Sequence, residues 1–371
     1  MMISIAQAAN AERVLIINVT RIGDTLLATP AIRAIAAFFP NAAVTCLGHP
    51  QRAEVLENLP YLAKVGRITK KSAWLRGWND AATKPEYDYA FVWGQDQGLV
   101  RYALRKAARV IAERQCDPAL NERLAFAFDA PPQNSIHAVA WFLAMPRAVG
   151  VSALGLGIDM AVTKDERRVA AETLFGILGA SNHFPKVGFQ VASFATKSWR
   201  DWPIQRFIDL GLRIVQSYPD ARFICFGAPD DQPRIAELER SLRGRVISFA
   251  GKTTLRESAA LMSLLDLYVG IDTGPTHLYS AFKKPMVVLY HPSIPSALYK
   301  PLDHPALFAI DHPLAGPTCR EHISMNEISA DTVWHAVHHA LEGEPSTLHG
   351  MDAPGIDAHV DPWPGDALPY K

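Results

Sequence analysis

Short, continuous apolar runs alternate along this chain with longer stretches of helical spacing. Val14 to Val19 (V-L-I-I-N-V) is apolar and β-branched, the mark of a strand buried on both faces. A polar loop, Thr20 to Thr25, follows it. Leu26 to Phe39 then carries helical spacing, with Pro30 near its start, and Pro40-Asn41-Ala42 breaks the helix. Ala43 to Leu47 reads as the next strand. This is a βαβ unit, which predicts a parallel sheet flanked by helices. Further on, Gln51 to Leu59 reads as a helix and Tyr87 to Trp93 as a strand. Leu99 to Arg114 reads as a helix with a basic face (Arg101, Arg105, Lys106, Arg109, Arg114), and Ile136 to Ala148 as an apolar helix.

The pattern loosens around Gly150 to Thr163 and restarts with a helix over Lys164 to Leu178. Strands are then predicted at Lys186–Val191, Arg222–Phe226, Val246–Phe249, Leu265–Ile271 and Met286–Leu289, with helices between them and a last helix at Asp331–Leu341. The expected organisation is a Rossmann-like domain over residues 12–163, a second one over 164–342, and a disordered tail over 343–371, rich in proline, glycine and aspartate. The fold class is α/β.

Ligands of such sheets bind at the carboxyl ends of the strands. Two loops there carry chemistry. After the first strand come Arg21, Gly23 and Asp24. Asp24 suits either an N-cap or a catalytic carboxylate, and the two roles do not exclude each other. After Leu267–Ile271 comes Asp272-Thr273-Gly274-Pro275, where an apolar run stops at a glycine turn and a helix begins. Such a turn offers free backbone N–H groups and a positive dipole end to a phosphate or pyrophosphate. Equally, it suits an ordinary connection, with Asp272 or Thr273 as cap and Pro275 in the first turn. A D-T-G triplet in an aspartic protease lies in an all-β setting; here it opens a helix.

Composition narrows the function. Hydrophobic content of 49% with 20% charged residues describes a globular protein with sizeable cores. Lysine plus arginine and aspartate plus glutamate stand at 37 each, so no global field draws the chain to nucleic acid, and any anion needs a local site. Cys46, Cys116, Cys225 and Cys319 form no C-x-x-C pair, which argues against a zinc cluster and for a reducing compartment. Ala6-Gln7-Ala8 faintly resembles a signal cleavage site but has no basic segment before it, and no apolar stretch reaches membrane-spanning length, so a cytoplasmic location is expected. Trp74 and Trp78 lie among basic residues; they suit a membrane or a carbohydrate, but packing on the domain is the expected role. Gly251-Lys252-Thr253-Thr254 looks like the end of a P-loop whose first glycine is replaced by Val246. No G-x-G-x-x-G follows the first strand, against a dehydrogenase.

Three segments together resemble glycosyltransferase family 9, the ADP-heptose-using heptosyltransferases of lipopolysaccharide assembly. Ile22-Gly23-Asp24, with Arg21 in a shifted place for the usual arginine and Thr29-Pro30-Ala31 after it, resembles the N-terminal signature. Val269 to Leu278 with Ala281 resembles V-G-x-D-T-G-P-x-H-L-A-x-A, and Gly251-x-Thr253-x-Leu255 the element before it. The resemblance spans roughly Val14 to Leu341. It implies a GT-B fold, two Rossmann-like domains with parallel sheets facing across a cleft, and inverting transfer from ADP-heptose to a lipopolysaccharide-core or related glycan hydroxyl. By position it makes Asp24 the base, with Arg21 and Gly23 on the acceptor side. Thr253, Asp272, Thr273, Gly274 and Pro275 fall on the donor side. Arg200, in Arg200-Asp201-Trp202-Pro203, matches the donor-contacting cation, with Lys197 as a rival. Asp231 stands where relatives carry a glutamate that bonds the donor ribose. His277 follows the pattern as a packing residue. No metal is required by this chemistry. Partners would be a nucleotide sugar and a glycan or lipid-linked glycan, with peripheral contact to the inner membrane. The alternatives are a GT-B transferase using another nucleotide sugar or a protein acceptor, and a non-catalytic nucleotide-sugar-binding protein.

Overall fold

The computed structural model describes residues 2–77, 84–179, 184–193, 195–316 and 322–356; Trp78, Cys319 and the end of the expected tail, 357–371, lie outside the described residues. The chain divides into two compact units, Met1–Ala161 with Pro354–Lys371, and Val162–Ala353.

In the first unit the strands are β1 (Arg13–Asn18), β2 (Ala43–Gly48), β3 (Lys64–Arg67), β4 (Tyr87–Val92), β5 (Ala107–Glu113) and β6 (Phe126–Phe128), in the order β3-β2-β1-β4-β5-β6. All adjacent pairs are parallel. Val14 to Ile17 of β1 are fully buried because β2 and β4 flank the strand and helices cover both its faces. The second unit has β7 (Lys186–Gln190), β8 (Arg222–Cys225), β9 (Val246–Ser248), β10 (Leu267–Ile271), β11 (Met286–Tyr290) and β12 (Leu307–Asp311), in the order β12-β11-β10-β7-β8-β9. Read from the other edge this is the same topology. Strand order therefore reverses between β1 and β4 in one unit and between β7 and β10 in the other. Those crevices are where such sheets take ligands.

Several elements differ from the sequence reading. The stretch read as a loop up to Thr25 is helical from Ile22 to Leu27, because the Thr25 hydroxyl donates back to Arg21 O at 2.8 Å and closes the first turn; a second helix, Thr29–Phe38, follows. The basic run is not one helix. Asp96 caps Gln97–Lys106 by accepting from Leu99 N, after which the chain enters β5 and Arg109 lies over the Tyr89 ring. Gln51 to Leu59 contains only a 3-10 turn, Ala53–Leu56. Part of the expected disordered tail is placed: Leu348 O accepts from Ala309 N, Met351 N donates to Ser296 Oγ, and Pro354 O accepts from His137 N.

The second unit opens with helix Lys164–Leu178, whose capping box joins Thr163 and Glu166. Glu166 also takes a two-pronged grip from Arg256, at 2.5 and 2.7 Å, which ties this helix to Leu255–Met262. The Arg256 hydrogen bonds hold the Glu166 carboxyl down to about 2, against the opposing effect of burial. An unfolded glutamate titrates near 4.3. The stabilisation is therefore complete above that pH and is lost as pH falls towards about 2. Glu166→Gln is expected to cost about 2 kcal/mol at neutral pH, a melting shift of roughly 4 to 8 °C. Melting curves taken down the pH scale should show the two proteins converge at the acid end; a constant gap would disprove the coupling.

Candidate active site

In the first unit the β1 loop delivers Asp24 to the third position of helix Ile22–Leu27. Asp24 is thus not the N-cap. Arg21 holds that place, exposed and without a side-chain cap bond, while Gly23 and Asp24 are half-buried. A carboxylate in the first turn sits at the positive end of the helix dipole. The loop itself is fixed by Arg52, which donates to Thr20 O at 3.0 Å, and by the Thr20–Thr25 hydroxyl pair at 3.1 Å. At the strand end, Asn18 is fully buried and its amide oxygen and nitrogen have no hydrogen-bond partner among the described residues.

In the second unit, the loop after β7 and the turn after β10 converge. Arg200 Nη2 donates to the main-chain oxygen of Asp272 at 2.8 Å and to its carboxylate at 3.0 Å, both groups being buried. The other carboxylate oxygen, Oδ1, stands 3.2 Å from His277 Nε2 without hydrogen-bond alignment. Asp272 is therefore clasped between a guanidinium and an imidazole, and its side chain does not cap the helix. Thr273 occupies the N-cap position of Gly274–Ser280 and makes no side-chain cap bond either. Pro275 lies in the first turn as expected. The opening amides of that helix thus receive no side-chain acceptor, which suits an external anion.

The loop bearing Arg200 is stapled at several points. Ser193 N donates to Asp201 at 2.7 Å, Trp202 Nε1 to Ile328 O at 2.9 Å, and Arg234 to Val191 O and Trp202 O. Trp202 is wholly buried beneath it. Burial raises the Asp201 carboxyl above its ordinary value, against the hydrogen bonds from Ser193. Lys197, three residues before Arg200, is half-buried and makes no ion pair among the described residues. Arg200 is the cation fixed at the β7/β10 crevice; Lys197 is not brought to Asp272.

Asp231 and Thr253 lie at the carboxyl ends of β8 and β9. Asp231 is half-buried, and one of its oxygens accepts from Ala228 N at 2.8 Å, closing its own turn. Burial raises this carboxyl as well. The Thr253 hydroxyl pairs with Ser258 at 2.7 Å. Gly251, just before it, has φ +69° and lies where a Cβ would come within 2.7 Å of Pro229, so both conformation and space call for glycine. Among the described residues, Gln190 Oε1 and Tyr290 OH, at the ends of the strands that flank β10, and His277 Nδ1 are buried without hydrogen-bond partners. Local sequence pointed to none of the three. Gln190 ends a strand otherwise read as core, Tyr290 lies beyond the expected end of its strand, and His277 reads as packing.

If the clasp is a buried ion pair, Asp272→Ala should destabilise the second unit by about 3–5 kcal/mol, because Arg200 keeps a buried charge. Denaturant unfolding of Arg200→Ala, Asp272→Ala and the double variant checks this: the double should be clearly less unstable than the sum of the singles, and strict additivity would refute the pairing.

A sequence profile of the family described as Glycosyltransferase family 9 (heptosyltransferase) matches residues 126–321. The chain is 20% identical over 302 residues to the lipopolysaccharide core heptosyltransferase OpsX of Haemophilus influenzae, covering 78% of this chain and 82% of that protein. Among solved structures, a glycosyl transferase family 9 protein from Veillonella parvula superposes with a TM-score of 0.77 at 18% identity, covering 92% of this chain and 100% of that one. The E. coli ADP-heptose lipopolysaccharide heptosyltransferase II gives 0.72 at 17% identity, covering 89% and 99%.

Proposed function

The chain belongs to glycosyltransferase family 9 and is a glycosyltransferase with the GT-B fold, and from that premise we propose that it transfers a heptose from ADP-heptose to a hydroxyl of a lipopolysaccharide-core or related glycan. The observation that carries the donor half is the Arg200–Asp272 clasp beside a helix start that no side chain caps. Asp272 cannot meet a pyrophosphate with its carboxylate, since like charges repel; it aims Arg200 and shapes the turn. The backbone N–H groups of the turn and the remaining Arg200 donors then face the anion. As the bond from the anomeric carbon to the pyrophosphate breaks, the negative charge growing on ADP falls on those donors. This reading calls on no metal.

Asp24 supplies the other half. It takes the proton of the acceptor hydroxyl while that oxygen attacks the anomeric carbon from the side opposite ADP, inverting the centre in one displacement. Arg21, exposed beside it, serves the acceptor, and Gly23 keeps the turn open to it. Asp231 and Thr253 flank the donor at the ends of β8 and β9, with Asp231 near the ribose. No helix among the described residues is long and apolar enough to cross a membrane. A cytoplasmic enzyme meeting a lipid-linked acceptor at the inner membrane fits this reading.

Calorimetry with ADP, UDP and GDP, followed by turnover with ADP-heptose, tests it. ADP is expected to bind, and Arg200→Ala to weaken it about tenfold or more. Asp24→Asn should leave ADP affinity within about twofold and lower kcat by roughly 10²–10⁴. Binding of UDP or GDP in place of ADP would remove the ADP-heptose assignment, and an unimpaired kcat in Asp24→Asn would remove the base.

A further inference from the structure

The tryptophans of the two units are used differently. Trp74, expected to pack on the first unit, is instead 49% exposed. Trp199 of the second unit ends a 3-10 stretch, Ala195–Arg200, and is half-buried against two imidazoles. Its ring centroid lies 4.5 Å from that of His291 and 6.2 Å from that of His322, with the planes at 71° and 72°.

These contacts are built in. His291 and His312 directly follow β11 and β12, and both are 2% exposed. Each makes the same pair of bonds. Nδ1 of His291 accepts from Ser293 N at 3.1 Å, so the ring carries its proton on Nε2, which donates to Ile323 O at 2.9 Å. Nδ1 of His312 accepts from Leu314 N at 3.0 Å, and its Nε2 donates to Ser324 O at 3.1 Å. The two histidines thus staple consecutive carbonyls of the segment carrying His322 to the ends of two strands. On the other side Arg200, next to Trp199 in the chain, is fixed to Asp272. A partly open indole is therefore held firmly by three separate loops at the carboxyl end of β11.

Its place decides what it can touch. Along the second sheet the strands run in the order β8, β7, β10, β11. Asp231 follows β8, the Arg200–Asp272 clasp joins the ends of β7 and β10, and His291 follows β11. Neighbouring strands stand about 4.8 Å apart, so β8 and β11 are about 14 Å apart. A donor with its ribose near Asp231 and its pyrophosphate at the clasp brings its third part, the glycosyl group, towards Trp199. The base stays at the far end. An indole offers a broad, flat apolar face with little freedom to lose, which suits the C–H face of a pyranose ring and not a further phosphate.

We propose that Trp199 forms the subsite for the glycosyl group of the donor and so selects the sugar that is transferred. This rests on the donor reading above and adds to it a residue that makes no contact with ADP. The pyranose lies with its C–H face on the indole while Arg200 and the helix start hold the pyrophosphate. His291 is a positioning residue: it bonds no sugar atom and keeps the indole in place.

Calorimetry with ADP and with ADP-heptose, on the parent and on Trp199→Ala and Trp199→Phe, tests it. Trp199→Ala should weaken ADP-heptose about tenfold and leave ADP within about twofold. Trp199→Phe should recover most of the loss, because a phenyl ring keeps a flat face. An equal loss for both ligands would mean that Trp199 supports the nucleotide or the fold of its loop, and overturns the proposal. So does ADP-heptose bound by Trp199→Ala as tightly as by the parent. A parent that binds UDP or GDP in place of ADP removes the ADP-heptose reading by itself; UDP with UDP-glucose, or GDP with GDP-mannose, then decides the subsite by the same outcomes. A parent that binds no nucleotide overturns both.

Discussion

A carboxylate buried at the end of a central strand cannot stay charged alone, and the second unit is arranged around that constraint at Asp272. Its charge is met by Arg200, 72 residues earlier in the chain, with His277 of the following helix on the other side. To reach it, Arg200 must come from a loop that does not move. Trp202 buried under that loop, with Asp201 and Arg234 tying its ends, supplies the rigidity. Removing the carboxylate would release the guanidinium from the β7/β10 crevice and leave its charge unmet. The same interaction thus serves folding and places a cation where strand order reverses.

The two units share a strand order but fill its crevice differently. The β7/β10 end carries a paired cation and a helix start that no side chain caps, a combination suited to negative charge. The β1 end carries a carboxylate in the first helical turn and a wholly buried Asn18 with no hydrogen-bond partner among the described residues, a combination suited to a proton or a hydroxyl. One topology yields complementary chemistry because the sheet dictates only where the loops emerge, not what they bear.

The central strands β1, β4, β7, β10 and β11 were legible because burial on both faces demands an unbroken apolar run, which local sequence displays. The outer strands were not. Lys64–Arg67 (K-V-G-R) has too little apolar character to signal anything. The basic residues of β5 suited a solvated helix until pairing with β4 put Arg109 against Tyr89. Leu307–Asp311 owes its place to main-chain pairing with β11. The site shows the same division. The turns at Asp24 and Asp272 announce themselves because strand, turn and helix are contiguous. What their side chains do is set by distant partners: local sequence offers capping as one of two roles for Asp24, Asp272 and Thr273, and none of the three side chains makes the N-cap bond.

Overall neutrality fits this pattern of local solutions. With 37 basic and 37 acidic residues the chain has no net field, so it can bring an anion to a crevice only by withdrawing compensating charge from water nearby. At Asp272 the pairing is internal and buried, which leaves the dipole of the adjacent helix and the remaining donors of Arg200 as the positive end at the crevice. A buried pair of this kind lies out of reach of the ions that screen exposed charges, so what it presents at the crevice changes little with ionic strength.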